Sequence, residues 1–281
     1  MTTQKILLCL AHPDDEILGP GGTIAQYAQN GAYVELVCAT RGEAGEIADP
    51  ALATPETLAE VREQELRCAA ETLGIQQVTF LNYRDSGMAG TADNQRPDAF
   101  INALADEVVA QLVAVMRRVR PQVVITFEPY GGYGHPDHIA IHHHTHTAFE
   151  KAGDTSYRGD LGRPYHPQRL FYPLVRFAFF QAMKEKMEQY GLETDFFTNL
   201  EERRDKGWPD DKFNVVIDIS RTINRKMTAF ACHRTQFGPD NLFRRLPETE
   251  MAQLLQSEYF ALAWPESANS LQLNNLFDGL S

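Results

Sequence analysis

Apolar residues occur along this chain in two patterns, short unbroken runs and three-and-four repeats, and over the first half the two alternate. Residues 5–11 have the length and composition of a buried strand. After Gly19-Pro20-Gly21-Gly22 a helix is predicted to about Asn30, with Gly31 as its C-terminal cap. Residues 33–40, rich in Val and Leu, read as a second strand. Pro55 can open the next helix, which runs to Leu73 and stops at Gly74. Residues 78–83 are a third strand. The clearest helix follows: Ile101, Leu104, Ala105, Val108, Val109, Leu112, Val115, Met116 and Val119 keep one apolar face, and Pro121 ends it. Residues 123–127 are a fourth strand, and 138–150 form a helix.

Strand–helix alternation, four times over, predicts an α/β fold: a Rossmann-like parallel sheet with helices on both faces. In such sheets ligands bind beyond the carboxyl ends of the strands, near the switch in strand order. Every loop rich in chemically capable residues here follows a strand. The pattern changes after residue 152. Residues 153–167 break into Gly, Pro, Tyr and charge and read as a loop or subdomain boundary. A short strand at 169–175, a helix at 177–190, a late strand at 213–219 and a helix at 221–233 follow. The remainder, with Pro239, Pro247 and Pro265, reads as irregular apart from one helix near 248–257. The expected organisation is a core over 1–152 and a smaller C-terminal α+β portion over 153–281. That portion would complete the sheet and cap the pocket, as a separate unit or as part of one continuous domain.

A length of 281 residues suits one large α/β domain or a domain with a subdomain. Hydrophobic content of 43% and charged content of 23% are ordinary for a soluble globular protein. A net charge of −12 and a pI of about 5.2 leave no global basic field. This argues against a nucleic-acid or anionic-membrane partner. No run approaches the roughly 20 apolar residues of a membrane span. The N-terminal apolar run ends at charged residues, not at a small-residue cleavage site. Cys9, Cys38, Cys68 and Cys232 show no short pairing such as C-x-x-C and suit a reduced, cytoplasmic protein better than a disulfide framework. Cys9 and Cys38 fall in predicted strands and read as core packing.

Two stretches carry the chemistry. Ala11-His12-Pro13-Asp14-Asp15-Glu16 follows the first strand, and Gly132-Tyr133-Gly134-His135-Pro136-Asp137-His138 follows the fourth. If those strands are neighbours, the two clusters meet at one end of the sheet as a divalent-metal site with a general base beside it. Zinc takes nitrogen from His and oxygen from Asp or Glu, and a catalytic site leaves a position for water. His12 and Asp15 share a loop, and His138 can supply a third ligand. Asp14 is then a carboxylate beside a metal ligand without being one, which is what a hydrolase needs for a base. His135 and His138 share one face of a first helical turn, so one can bind metal while the other faces substrate. Each piece has a plainer reading. Asp14 or Asp15 could be a helix N-cap, and His142, His143, His144 and His146 a helix face, with His142 the one rival ligand. Gly19 to Gly22 resembles a phosphate-binding turn but lacks the full spacing, and Thr40-Arg41 stand where an acidic residue should end the second strand. No G-x-S-x-G elbow is present, and no cysteine has a nucleophile's context.

Taken together, A-H-P-D-D-E at Ala11 to Glu16 and H-P-D-H at His135 to His138 resemble the signatures of the PIG-L, or LmbE-like, zinc deacetylases. The resemblance runs over residues 5–149 and returns at 226–236. Within the family the chain looks most like the mycothiol-pathway enzymes, which deacetylate N-acetylglucosaminyl-inositol or cleave mycothiol S-conjugates. It implies His12, Asp15 and His138 as zinc ligands, with Asp14 as the general base. It implies His135 as the charged partner of the intermediate or leaving amine, and Tyr133 as support for the oxyanion. On the sugar side it implies Asp85 and Met88, in Arg84-Asp85-Ser86-Gly87-Met88-Ala89-Gly90-Thr91, together with Glu46, Arg62 and Gln236. Arg62 would reach the inositol end; the plainer reading is a helix-surface salt bridge, and for Glu43 a loop charge. A mixed His/Asp site accepts Zn²⁺ or Fe²⁺. Residues 154–212, with Tyr157, Tyr165, Phe171, Tyr172 and a charged stretch over 201–211, match nothing in the family pattern.

The expectation is hydrolysis of the N-acetyl amide of an N-acetylglucosamine-containing small molecule. The nearest alternative is an amidase acting on mycothiol S-conjugates, which the ending Met88-Ala89-Gly90-Thr91 disfavours. Readings of another class are a metal-dependent sugar-binding protein without turnover and a nucleotide-binding regulator.

Overall fold

The computed structural model describes residues 3–200, 207–266 and 271–280. Its first half is strand and helix in turn: β1 (Lys5–Leu10), the short α1 (Asp15–Leu18), α2 (Gly21–Gln29), β2 (Tyr33–Cys38), α3 (Leu58–Leu73), β3 (Gln77–Phe80), α4 (Ala105–Val119) and β4 (Val123–Ile125). A four-residue turn of helix, α5 (Gly131–Gly134), leads into α6 (Pro136–Gly153). The second half adds β5 (Arg169–Leu174), α7 (Phe177–Gln189), β6 (Val215–Asp218), α8 (Ile223–Cys232), α9 (Glu248–Leu254) and β7 (Ser257–Trp264).

All seven strands form one sheet in the order β3-β2-β1-β4-β5-β7-β6. β3, β2, β1, β4 and β5 are parallel. Side chains alternate across the central strand. Ile6, Leu8 and Leu10 pack with Ile24, Leu66 and Ala229 on one face. Leu7 and Cys9 pack with Leu112, Met116 and Ile141 on the other. Burial on both faces is why the parallel strands read as unbroken apolar runs. The buried free thiols of Cys9 and Cys38 are part of these layers. Strand order switches at β1, which lies between β2 and β4. Ile6 is in register with Val123 and Leu8 with Ile125, so the loops after β1 and β4 emerge side by side.

The α/β fold and its mostly parallel sheet are as expected, with β7 running antiparallel to both β5 and β6 in the C-terminal portion. Two expectations need correction. β7 itself lies in the stretch read as irregular. Its alternation is real, with Glu258, Phe260 and Leu262 buried, but small alanines and a glutamate at its second position mute it. The cysteine reading also fails in part: Cys68 and Cys232, 164 residues apart, form a disulfide between α3 and α8. Of the charged stretch over 201–211, residues 201–206 lie outside the described ones.

Glu258 explains why the glycine turn is not a phosphate site. Its carboxylate accepts from the backbone N–H groups of Gly22 (2.8 Å) and Thr23 (2.7 Å) at the start of α2. A buried Lys226 Nζ, 2.6 Å away, neutralises it. The donors that would cradle an anion are taken by the protein's own carboxylate. The glycine at 22 serves close packing, since a Cβ there would lie 2.2 Å from Ile219.

Candidate metal centre

The loop after β1 turns back on itself through Asp15. One of its carboxylate oxygens, Oδ2, accepts from the backbone N–H groups of Ala11 (3.1 Å) and His12 (2.7 Å). Its other oxygen lies 3.3 Å from His138 Nε2. His138 sits in the first turn of α6, which opens earlier than the apolar pattern indicates. Pro136 is suited to a first helical position, and His135 is the N-cap, its Nδ1 accepting from Asp137 N–H at 3.2 Å. Phe127 stacks on the His138 ring, centroids 3.9 Å apart and planes 11° from parallel.

The hydrogen bonds fix which ring nitrogens are free. His138 Nδ1 donates to the carbonyl of Gly131 at 3.0 Å, which leaves its Nε2 as a lone pair. His12 Nε2 donates to Asp137 Oδ2 at 3.1 Å, which leaves Nδ1 as a lone pair. Those two nitrogens face one another at 3.1 Å, with Asp15 Oδ2 3.8 Å from His12 Nδ1. Two lone pairs and a carboxylate around one buried point ask for a cation, a proton or a metal ion. Mixed nitrogen and oxygen donors suit zinc or iron. With no metal ion, the surrounding charges favour a proton at that point. Burial disfavours a charged His12, but Asp85, Asp137 and Asp15 outweigh it and hold the imidazole well above the ordinary histidine range. Burial likewise disfavours ionised Asp15, and His138 and His12 together hold its carboxyl well below the usual range. His135 also lies close, with donor atoms within 4.8 Å of those of His12 and His138. The rival ligand His142 points elsewhere, its Nδ1 donating to the carbonyl of Phe127 at 2.8 Å. His146 bonds the hydroxyl of Tyr172, so these histidines are a helix face, as the plainer reading has it.

Asp14 is not an N-cap by its side chain. Its backbone is left-handed, φ 111°, and its carboxylate accepts from Arg62 Nη2 at 3.1 Å. Burial pushes Asp14 up to about 6, against the charges of Arg62, His233 and His12. Arg62 is itself buried. It donates to the carbonyls of Pro13 (2.5 Å) and Gly42 (2.9 Å) as well, so it is neither a surface residue nor free to extend into solvent.

His135 is the third imidazole of the cluster. Burial and the neighbouring His12 and His138 hold it down at about 4. With Nδ1 accepting at the helix cap, the neutral ring carries its proton on Nε2. Tyr133 is half exposed, its ring edge-on to His138 at 5.1 Å between centroids. Burial and the carboxylates of Asp15, Asp14 and Asp85 raise its ionisation above the usual phenol range, so it remains a donor.

Asp85 is buried beside His12, 3.5 Å from Nε2, and its oxygens accept from the N–H groups of Gly87 (2.8 Å) and Ala44 (3.3 Å). Met88 stands exposed three residues on. Glu46 is exposed on the 41–46 loop, and its carbonyl accepts from Gln236 Nε2 at 2.9 Å. Glu43 is more than a loop charge: its carboxylate accepts from Asp85 N–H at 3.0 Å. The residue that the sequence reading passed over is Asp137. It is fully buried and binds Ser86 N–H (2.9 Å) as well as His12, joining the 84–91 loop to the histidine cluster. Its place between His135 and His138 was the available signal.

The profile of the family PIG-L, GlcNAc-PI de-N-acetylase, matches residues 7–149. A 1D-myo-inositol 2-acetamido-2-deoxy-alpha-D-glucopyranoside deacetylase of Geodermatophilus obscurus is 38% identical over 99% of this chain and 98% of its own. A protein of the same name from Rhodococcus jostii is 37% identical over 93% of this chain and 92% of its own. The likeness therefore runs through residues 154–212, where no motif could be followed. Among solved structures, N,N'-diacetylchitobiose deacetylase from Pyrococcus horikoshii superposes with a TM-score of 0.65 at 23% identity, over 93% of this chain and 84% of its own. The 4-carboxy-2-hydroxymuconate hydratase GalB of Pseudomonas putida gives 0.61 at 19% identity, over 94% and 98%. One fold thus carries a deacetylase and a hydratase, so architecture alone does not fix the reaction. With both signature loops meeting at one buried point and with full-length relatives, this chain belongs to PIG-L, the GlcNAc-PI de-N-acetylase family.

Proposed function

We propose that this PIG-L deacetylase removes the acetyl group from the glucosamine nitrogen of a small inositol glycoside such as N-acetylglucosaminyl-inositol. The observation that carries the reading is the pair of facing lone pairs on His12 and His138, with Asp15 as third donor and Asp14 beside them but not among them. His12 Nδ1, His138 Nε2 and Asp15 would hold the metal, Zn²⁺ or Fe²⁺. When bound, the metal supplies Lewis-acid polarisation of the amide carbonyl and a lowered pKa for water.

The side chains do the rest. Asp14, held by Arg62, accepts a proton from the attacking water as its oxygen bonds to the carbonyl carbon. Tyr133 O–H and His135 Nε2–H are the donors available to the negative oxygen of the tetrahedral intermediate. As the carbon–nitrogen bond breaks, the proton on Asp14 passes to the departing nitrogen, and acetate and the free amine result. A carboxyl near 6 suits both halves of that transfer. Met88, Glu46 and Gln236 are the candidates for contact with the glycoside. In this reading Arg62 serves the base, and Asp85 serves His12 before any sugar hydroxyl.

Primary-amine release by metal-loaded protein tests the substrate, with N-acetylglucosaminyl-inositol, plain N-acetylglucosamine and a mycothiol S-conjugate in parallel. Preferential release from the inositol glycoside is expected. Equal release from N-acetylglucosamine would make it a broader sugar deacetylase, and preference for the conjugate would make it an amidase. Release from none, with metal bound, would sink the substrate reading.

A further inference from the structure

We infer that Glu16 and His233 are positioning residues that hold the backbone of Asp14 in its left-handed turn and so aim the base; the inference rests on Asp14 being that base. The φ of 111° at Asp14 is a conformation that a residue with a side chain adopts only under constraint. Restraints act on both sides of it. Arg62 takes the carbonyl of Pro13, on the N-terminal side. Glu16 Oε2 accepts from the N–H of Asp14 itself, at 3.0 Å.

Glu16 could not do this alone. It is fully buried, and a lone carboxylate there would carry a large desolvation cost. His233 Nε2 donates to its other oxygen, Oε1, at 2.6 Å, and His233 is fully buried too. The second ring nitrogen, Nδ1, is buried with no hydrogen-bond partner among the described residues. A ring retained in the core with one nitrogen unpaired is there for the bond that the other makes. The segment carrying it is anchored on either side. Cys232 is tied to α3 by the disulfide, and Thr235 donates to Glu65 of α3 through its N–H (2.8 Å) and hydroxyl (2.6 Å). α3 also carries Arg62. The far end of α8 and the middle of α3 thus grip the Asp14 turn from two directions, and neither Glu16 nor His233 contacts the ring nitrogens of His12 or His138 at hydrogen-bond distance.

The test is steady-state kinetics and metal content of metal-loaded His233→Phe, which keeps the ring volume but loses the donor, and His233→Gln, whose amide can donate in place of Nε2. A kcat lowered by roughly 10- to 100-fold in His233→Phe, with KM and metal content within twofold, and recovery of most of that loss in His233→Gln, is the expected result. Should His233→Phe not fold, Glu16→Met carries the same expectation, because it removes at similar length both oxygens that accept from Asp14 N–H and from His233. A kcat within twofold of the parent would overturn the inference. So would a loss that follows metal content and that His233→Gln does not restore. Asp14→Asn, run alongside, separates the two levels: if it keeps full kcat, the base assignment fails whatever His233 does.

Discussion

Asp137 Oδ2 lies 3.1 Å from His12 Nε2, and the two residues are 125 apart in the chain. The carboxylate sets the tautomer of the histidine and leaves Nδ1 to face His138. Such outer partners raise the basicity of a ligating imidazole, and their loss typically costs 10- to 100-fold in metal affinity. Asp137→Ala is therefore expected to weaken metal binding by about that factor, measured by competition with a chelator of known affinity. An unchanged affinity would mean that His12 needs no orienting partner.

The disulfide between Cys68 and Cys232 closes a loop of 164 residues, and loops of that length constrain the unfolded chain strongly. Cys68→Ala, or reduction of the parent, should lower unfolding stability by about 2–5 kcal/mol, read as a shift in denaturant midpoint. Equal midpoints with and without reductant would show that the bond contributes nothing to stability under those conditions.

Burial, with the neighbouring His146 and His143, holds His142 down at about 4 even though its Nδ1 donates to Phe127. An unfolded histidine takes its proton near 6.5, so between those values the unfolded chain binds more protons than the folded one. The contribution of His142 to stability should therefore be full above about 6.5, fall as pH drops toward 4, and level off below. The contribution of this one residue is on the order of 3 kcal/mol. Urea midpoints across that range should fall less steeply for His142→Gln than for the parent; parallel curves would remove His142 as a cause.

What the sequence discloses is whatever depends on local pattern. β1, β2 and β4 are legible because burial on both faces makes them continuous apolar runs. The two signature loops are legible because each is a contiguous string of ligand-type residues. What escapes is set by neighbours distant in the chain. Asp137 has its role only because His12 comes to it, and Cys68 and Cys232 meet only because α3 packs on α8. The charged role of His135 is implied by the resemblance alone, and nothing in the H-P-D-H string shows that burial, with His12 and His138, holds the ring down at about 4. Arg62 looks like a helix-surface or substrate residue because nothing local shows that Asp14 and Pro13 close over it. β7 is missed for the opposite reason: its pattern is local but weak, with alanines at two of its less buried positions.

Metal titration into chelator-stripped protein, read as amine release from N-acetylglucosaminyl-inositol, bears most directly on the central claim. Silence without metal, and turnover that climbs to a plateau at a single metal ion per chain and is absent in His12→Ala at the same loading, is the predicted result. Equal turnover in stripped and loaded samples, or full turnover in His12→Ala, would contradict a site built from His12, Asp15 and His138.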